Sequence, residues 1–152
     1  MGQRAQKAYD NFKQGYNCAQ AVFMAFCDKY GISEETAATL ASSFGGGMGR
    51  MREVCGAFSG MLLVNSMETG SADASDREAK KANYESVQKL AARFKEENGS
   101  LICRELLGLT KKQENEEGTA PSERTAQYYQ KRPCAEIVKC AAEILEEEFN
   151  FD

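Results

Sequence analysis

Pro133-Cys134-Ala135-Glu136-Ile137-Val138-Lys139-Cys140-Ala141-Ala142-Glu143-Ile144-Leu145-Glu146-Glu147-Glu148-Phe149 repeats on the period of an α-helix. With about 100° of turn per residue, Val138, Ala141, Leu145 and Phe149 fall within about 60° of Cys134, while Glu136, Lys139, Glu143 and Glu147 lie opposite. Proline at the first helical position supports the start, because the N–H it lacks would have no partner there. An amphipathic helix of this kind needs an apolar surface to lie on. Cys134 is at the centre of the stripe, and Cys140, about 240° round, is on its polar edge. The two cannot meet on one helix.

Outward from this segment the chain reads as further helices and no convincing strand. Helical segments are predicted from Arg4 to Lys13, from Asn17 to about Tyr30, and from Ser33 to about Phe44. Others run from about Met51 to Met67, from Ser75 or Asp76 to Asn98, and from Ser100 to Gly108. Ser33-Glu34-Glu35 is a good helix opening, a capping hydroxyl followed by acidic residues. Only two prolines interrupt 152 residues, which leaves long stretches free to coil. Thr69 to Ala74 reads as a small polar loop, and residues 111–125, charged and containing Gly118 and Pro121, as a mobile one. The expectation is all-α: a compact single-domain helical bundle of about six to seven helices over residues 1–152.

A formal charge of −4 argues against non-specific binding to nucleic acid or anionic membranes. No apolar run approaches the roughly 20 residues that span a bilayer. The segment Met1 to Lys7 leads into a polar helix without the apolar stretch of a signal peptide. Gln6 stands where an N-myristoylation signal wants Ser or Thr. A cytoplasmic location is expected, with neither membrane nor nucleic acid as partner. Six cysteines in a reducing compartment point to metal ligation or redox chemistry rather than static disulfides. Histidine is absent altogether. That removes Ser-His-Asp and Cys-His catalysis, histidine-ligated haem and every zinc site that needs an imidazole.

Three cysteines fall in predicted first turns: Cys18 after Asn17, Cys103 after Ser100, and Cys134 after Pro133. Helix N-termini present free N–H groups and partial positive charge, which favour thiolate over thiol. Cys27, in mid-helix and about 180° from Cys18, reads as a small core hydrophobe. Cys55 follows Phe44-Gly45-Gly46-Gly47-Met48-Gly49-Arg50 and begins Cys55-Gly56-Ala57-Phe58-Ser59-Gly60. Two helical glycines four residues apart imply that another backbone or a ligand comes close. Gly45, Gly46, Gly47, Gly49, Gly56 and Gly60 are therefore candidate cofactor contacts, with tight helix packing the alternative for the last pair. The loop lacks the Gly-Lys-Ser/Thr of a P-loop and follows no strand, so a sharp turn beside the thiols is the better reading. Arg50 and Arg52 are placed to add positive charge there.

These features resemble the C_GCAxxG_C_C family of redox-active proteins. The resemblance lies in Tyr16-Asn17-Cys18-Ala19-Gln20, the loop from Phe44 to Gly49, Cys55-Gly56-Ala57-x-x-Gly60 and single later cysteines, and it covers about Gly15 to Ala142. Carried over by position, the family's four cysteines are Cys18, Cys55, Cys103 and Cys134, which leaves Cys27 and Cys140 as extras. The resemblance implies a redox or metal-associated role, often beside transporter or oxidoreductase systems in anaerobic microbes.

Three functions are open at this level. The four cysteines are the candidate catalytic set for thiol–disulfide exchange or electron transfer, with Cys55 and Cys134 the first pair to consider. The same four are the candidate ligands of an iron–sulfur cluster or another thiolate-bound metal, although a cofactor need not be present. The third reading is a non-catalytic helical adaptor with buried cysteines. A redox partner protein or a homodimer is compatible with an apolar helix face.

Overall fold

The computed structural model describes residues 2–110, 112–113, 118–125 and 133–151. Among them seven helices are present: α1 Gln3–Lys13, α2 Cys18–Met24, α3 Glu34–Ala41, α4 Gly56–Thr69, α5 Arg77–Asn98, α6 Cys103–Leu107 and α7 Cys134–Phe149. The expected all-α bundle is what forms. Of the predicted mobile loop, residues 111 and 114–117 lie outside the described residues.

Helices α2 and α4 form the middle of the bundle. Along α2, Ala19, Ala21, Val22, Phe23 and Met24 are all buried, and α4 is buried continuously from Gly56 to Met61. Around them α1 lies along α7, α3 covers α2, and α5 covers α4 and α7. Phe12, Phe23, Phe26, Phe94, Met61, Leu90 and Leu145 fill the core, each removed from solvent. Truncating one of these phenylalanines to alanine costs about 3–5 kcal/mol. The predicted stripe on α7 is the buried one: Val138, Ala141 and Leu145 have no exposure, and Ala142 joins them.

Gly60 sets how closely α2 and α4 approach. A β-carbon there would lie 2.9 Å from the Ala19 carbonyl oxygen and 2.9 Å from Val22 Cβ. One turn earlier, a β-carbon on Gly56 would lie 3.0 Å from the Phe44 carbonyl oxygen and 3.1 Å from Cys18 Cβ. The spacing of four residues puts both glycines on the face that meets α2. The starts of the two helices, and with them Cys18 and Cys55, are thereby brought side by side.

Two predicted helices change at their ends. The segment from Asn17 does not reach Tyr30: α2 stops at Met24, and Cys27–Tyr30 forms a separate 3₁₀ turn closed by Gly31 at φ 69°. The Arg4 guanidinium donates to the Ala25 carbonyl at 2.9 Å, and the Lys29 amide turns to Phe26 instead. Cys27 is buried in the core, as a small hydrophobe would be. The segment expected from Met51 begins only at Gly56. Residues 52–55 run antiparallel to residues 101–104, with Cys55 N–H donating to Leu101 at 2.7 Å and Cys103 N–H to Glu53 at 2.6 Å. This is one isolated bridge, between Val54 and Ile102. It takes the Cys55 amide, which a helix starting at Met51 would have turned to the Met51 carbonyl.

Candidate thiol site

The bridge fixes two of the thiols. It holds Cys55 at the residue before α4 and Cys103 at the first residue of α6. Ser100, expected as the cap of α6, acts one turn earlier: its hydroxyl accepts from the Ile102 amide at 3.0 Å and donates to Glu105 at 2.7 Å. Cys18 opens α2 behind a complete capping box, in which Asn17 accepts from the Gln20 amide and Gln20 accepts from the Asn17 amide. Cys134 opens α7 immediately after Pro133, which serves as the cap residue rather than the first helical one. All four cysteines therefore stand at helix starts. Three of these positions were readable from caps, but Cys55 was not, because its helix begins later than its sequence indicates.

A cavity of about 280 Å³ is lined by all four sulfur-bearing residues. Cys55 and Cys103 are buried, whereas Cys18 and Cys134 are half-buried. Cys18 lies within hydrogen-bonding reach of Cys134. The sulfur within hydrogen-bonding reach of Cys134 is that of Cys18, whereas Cys55, the partner considered first from the sequence, feels Cys134 as a neighbouring charge. Cys140 is away from the cavity and faces Asn98, whose amide nitrogen is 3.7 Å from its sulfur. None of the six is in a disulfide.

At Cys18 the helix start does not lower the thiol pKa as its position suggested, nor does one at Cys55. Cys18 is held well above its ordinary value, first by its hydrogen bond to Cys134, then by burial and the other two thiols. Burial pushes Cys55 up to about 12, although the Phe58 and Ala57 amides pull in the other direction. No bond of full capping geometry forms from those amides to the sulfur. Desolvation of a charged sulfur outweighs the partial charge of a helix start.

The glycine loop forms one wall. From Gly46 to Arg50 every residue is left-handed, with φ between 58° and 70°, and Arg52 follows at φ 59°. Glycine adopts this conformation freely, but Met48, Arg50 and Arg52 each carry a cost of roughly 1–2 kcal/mol. Gly47 has no alternative. A β-carbon on it would lie 2.6 Å from Cys103 Cβ and 2.7 Å from Arg52 Cα. Gly45, Gly46, Gly47, Gly49 and Gly56 line the cavity. Gly60, also a candidate cofactor contact, instead backs onto Ala19 and Val22.

Arg52 adds its charge beside the thiols, and one further part of the site, the segment 118–125, was not anticipated. Arg52 is only 5% exposed, and its Nη1 is 3.5 Å from Cys103 Sγ. The segment 118–125 lies across the cavity, with Thr119, Pro121 and Ser122 among its lining. Arg124 anchors it by donating to the Phe12 carbonyl and, at 2.8 Å, to the Tyr16 carbonyl, with its guanidinium 4.0 Å above the Phe12 ring. Arg50 Nε donates to the Gly118 carbonyl at 3.3 Å. The arginines in these stretches were the available signal, but only folding shows which carbonyls they meet.

The four thiols are a donor set that soft metals take. Among the described residues, however, no three Cys, Asp or Glu side chains are grouped so as to hold one metal ion. No helix among them is long and apolar enough to cross a membrane.

The family model described as "Putative redox-active protein (C_GCAxxG_C_C)" matches residues 16–148. The chain belongs to that family. No curated protein and no solved structure gives a match. The C_GCAxxG_C_C match spans from the residue before the Asn17 cap to the last turn of α7, so it contains all four helix starts at the cavity.

Proposed function

We propose that the chain is a two-electron thiol redox protein in which Cys18 and Cys134 alternate between a thiol pair and a disulfide. The observation that carries this reading is the Cys18 thiol within hydrogen-bonding reach of Cys134, at a cavity that Cys55 and Cys103 also line. When the protein is oxidised, a disulfide substrate accepts the electrons. One protein thiolate attacks a substrate sulfur and expels the first thiol; a second protein thiol loses its proton, attacks the mixed disulfide and expels the other. One S–S bond breaks in the substrate, one forms in the protein, and the substrate leaves as two thiols. A dithiol partner reverses the cycle.

Sulfurs that adjoin in a pair, with no three-ligand group for a metal among the described residues, suit exchange better than a tetrahedral thiolate centre. Six free cysteines suit a reducing compartment such as the cytoplasm. The test starts from protein purified without oxygen, with metal content and visible spectrum recorded first. Mild oxidation should then remove two thiols reversibly, and tryptic peptides containing Cys18 and Cys134 should be found linked. Cys134→Ser should abolish the link. Brown protein with stoichiometric iron, or six thiols inert to oxidant, would overturn the proposal.

A further inference from the structure

We propose that Arg52 holds Cys103 as the attacking thiolate of this site, and that the disulfide it attacks is a low-molecular-weight one that enters the cavity. The inference rests on the thiol-exchange reading and adds the entry residue and the substrate class. Its basis is the guanidinium nitrogen 3.5 Å from Cys103 Sγ, with Arg52 itself 5% exposed. An opposite charge at this range favours the ionised form of its neighbour. A guanidinium remains protonated at any working pH, so the contact is permanently cationic.

The backbone is built around this contact. Arg52 is held left-handed, its carbonyl accepts from the Arg104 amide at 3.2 Å, and Gly47 leaves the only room in which Cys103 and Arg52 can sit together. Strain of this kind persists where the surrounding structure over-determines it. The neighbouring carboxylates are engaged elsewhere, two of the other thiols at the cavity are neutral, Cys134 lies against Cys18, and Arg50 and Arg124 add positive charge to the lining. Glu53 is paired with Arg104 at 2.7 Å, Glu105 is hydrogen-bonded to Ser100, and Cys18 and Cys55 are held as protonated thiols by burial and neighbouring sulfur.

Size follows from access. Cys103 is 7% exposed and Cys55 6%. The cavity of about 280 Å³, with Thr119, Pro121 and Ser122 in its lining, has the size of a small molecule. In the first step the Cys103 thiolate bonds to one sulfur of RS–SR and RS⁻ leaves. That thiolate takes the proton of a neighbouring protein thiol, which attacks the Cys103 sulfur and releases the second RS⁻. If that thiol is Cys18, the Cys103–Cys18 bond it forms is broken next: Cys134 gives its proton to the second RS⁻ and attacks the Cys18 sulfur, which leaves the Cys18–Cys134 disulfide and returns Cys103 as thiolate.

The experiment uses the reduced full chain and 2-hydroxyethyl disulfide, with acid quenching and peptide mass spectrometry to locate the first adduct. In the wild type that adduct should be on Cys103. Arg52→Gln should slow it roughly tenfold or more at neutral pH and move the midpoint of the rate–pH profile upward, with Arg52→Lys intermediate. Circular dichroism checks that the variants are folded, and the wild-type adduct position decides the matter even if they are not. A first adduct on Cys18 or Cys134, or an unchanged pH midpoint in folded Arg52→Gln, overturns the assignment. An insulin-type protein disulfide consumed as fast as the small reagent overturns the size class. Failure of the underlying exchange reading looks different: no Cys18–Cys134 link at completion, wherever the first adduct falls.

Discussion

Cys55 stands at a helix start yet keeps its proton, because burial at 6% exposure costs a thiolate more than two nearby amides return. The sign of the pH effect follows. The unfolded chain releases this proton near the ordinary thiol value of 9.0 and the folded chain only near about 12. Stability from the buried thiol is therefore complete below about pH 9 and is lost as pH rises toward 12. Urea unfolding of the wild type against Cys55→Ala should show the difference in stability falling by up to about 1.4 kcal/mol per pH unit above pH 9. A difference independent of pH would show that the thiol is not desolvated. Cys27 and Cys134 are the residues whose settings were plainest in the sequence: one lies in an apolar stretch, the other follows a proline at a helix start. Arg52 was not plain, since nothing in Gly49-Arg50-Met51-Arg52 says which arginine turns inward.

At the scale of elements, the contact between α2 and α4 is what places sulfur beside sulfur. Gly60→Ala would press a methyl group against the Ala19 carbonyl oxygen at 2.9 Å and against Val22. The expected cost is about 1–3 kcal/mol, since neither neighbour is the free end of a flexible side chain. Thermal unfolding gives that cost. The yield of the Cys18–Cys134 link after mild oxidation should also fall, because the start of α2 moves with the helix. An unchanged yield at reduced stability would mean that the two cysteines are positioned by α7 alone. The helices themselves were legible where caps and periodicity agreed, as at Asp76, whose carboxylate accepts from the Ala79 amide at 2.9 Å. The errors fall where a tertiary contact takes a backbone group that the local pattern had assigned to a helix: Arg4 on Ala25, and residues 101–104 on residues 52–55.

For the whole molecule, the segment 118–125 joins parts distant in sequence by closing over the cavity from the C-terminal end of α1 to the glycine loop. Arg124→Ala removes two hydrogen bonds to carbonyls and the stacking on Phe12, about 1–2 kcal/mol in sum. Alkylation of Cys55 and Cys103 in the native protein should become faster, while that of Cys140, outside the cavity, should not change. Unchanged rates at Cys55 and Cys103 would mean that the segment does not control access. Helical class, the buried stripe of α7 and the absence of imidazole chemistry were determined by the sequence itself, because each depends on residue type and on spacing along one helix, and the four-cysteine set was what the family resemblance implied. The approach of Cys18 to Cys134, the left-handed wall, the burial of Arg52 beside Cys103 and the raised pKa of Cys18, where a lowered one was expected, were decided only in the folded chain. Each depends on distance and dielectric between segments far apart in sequence, and neither quantity exists until α2, α4, α6 and α7 bring their first residues to the same cavity.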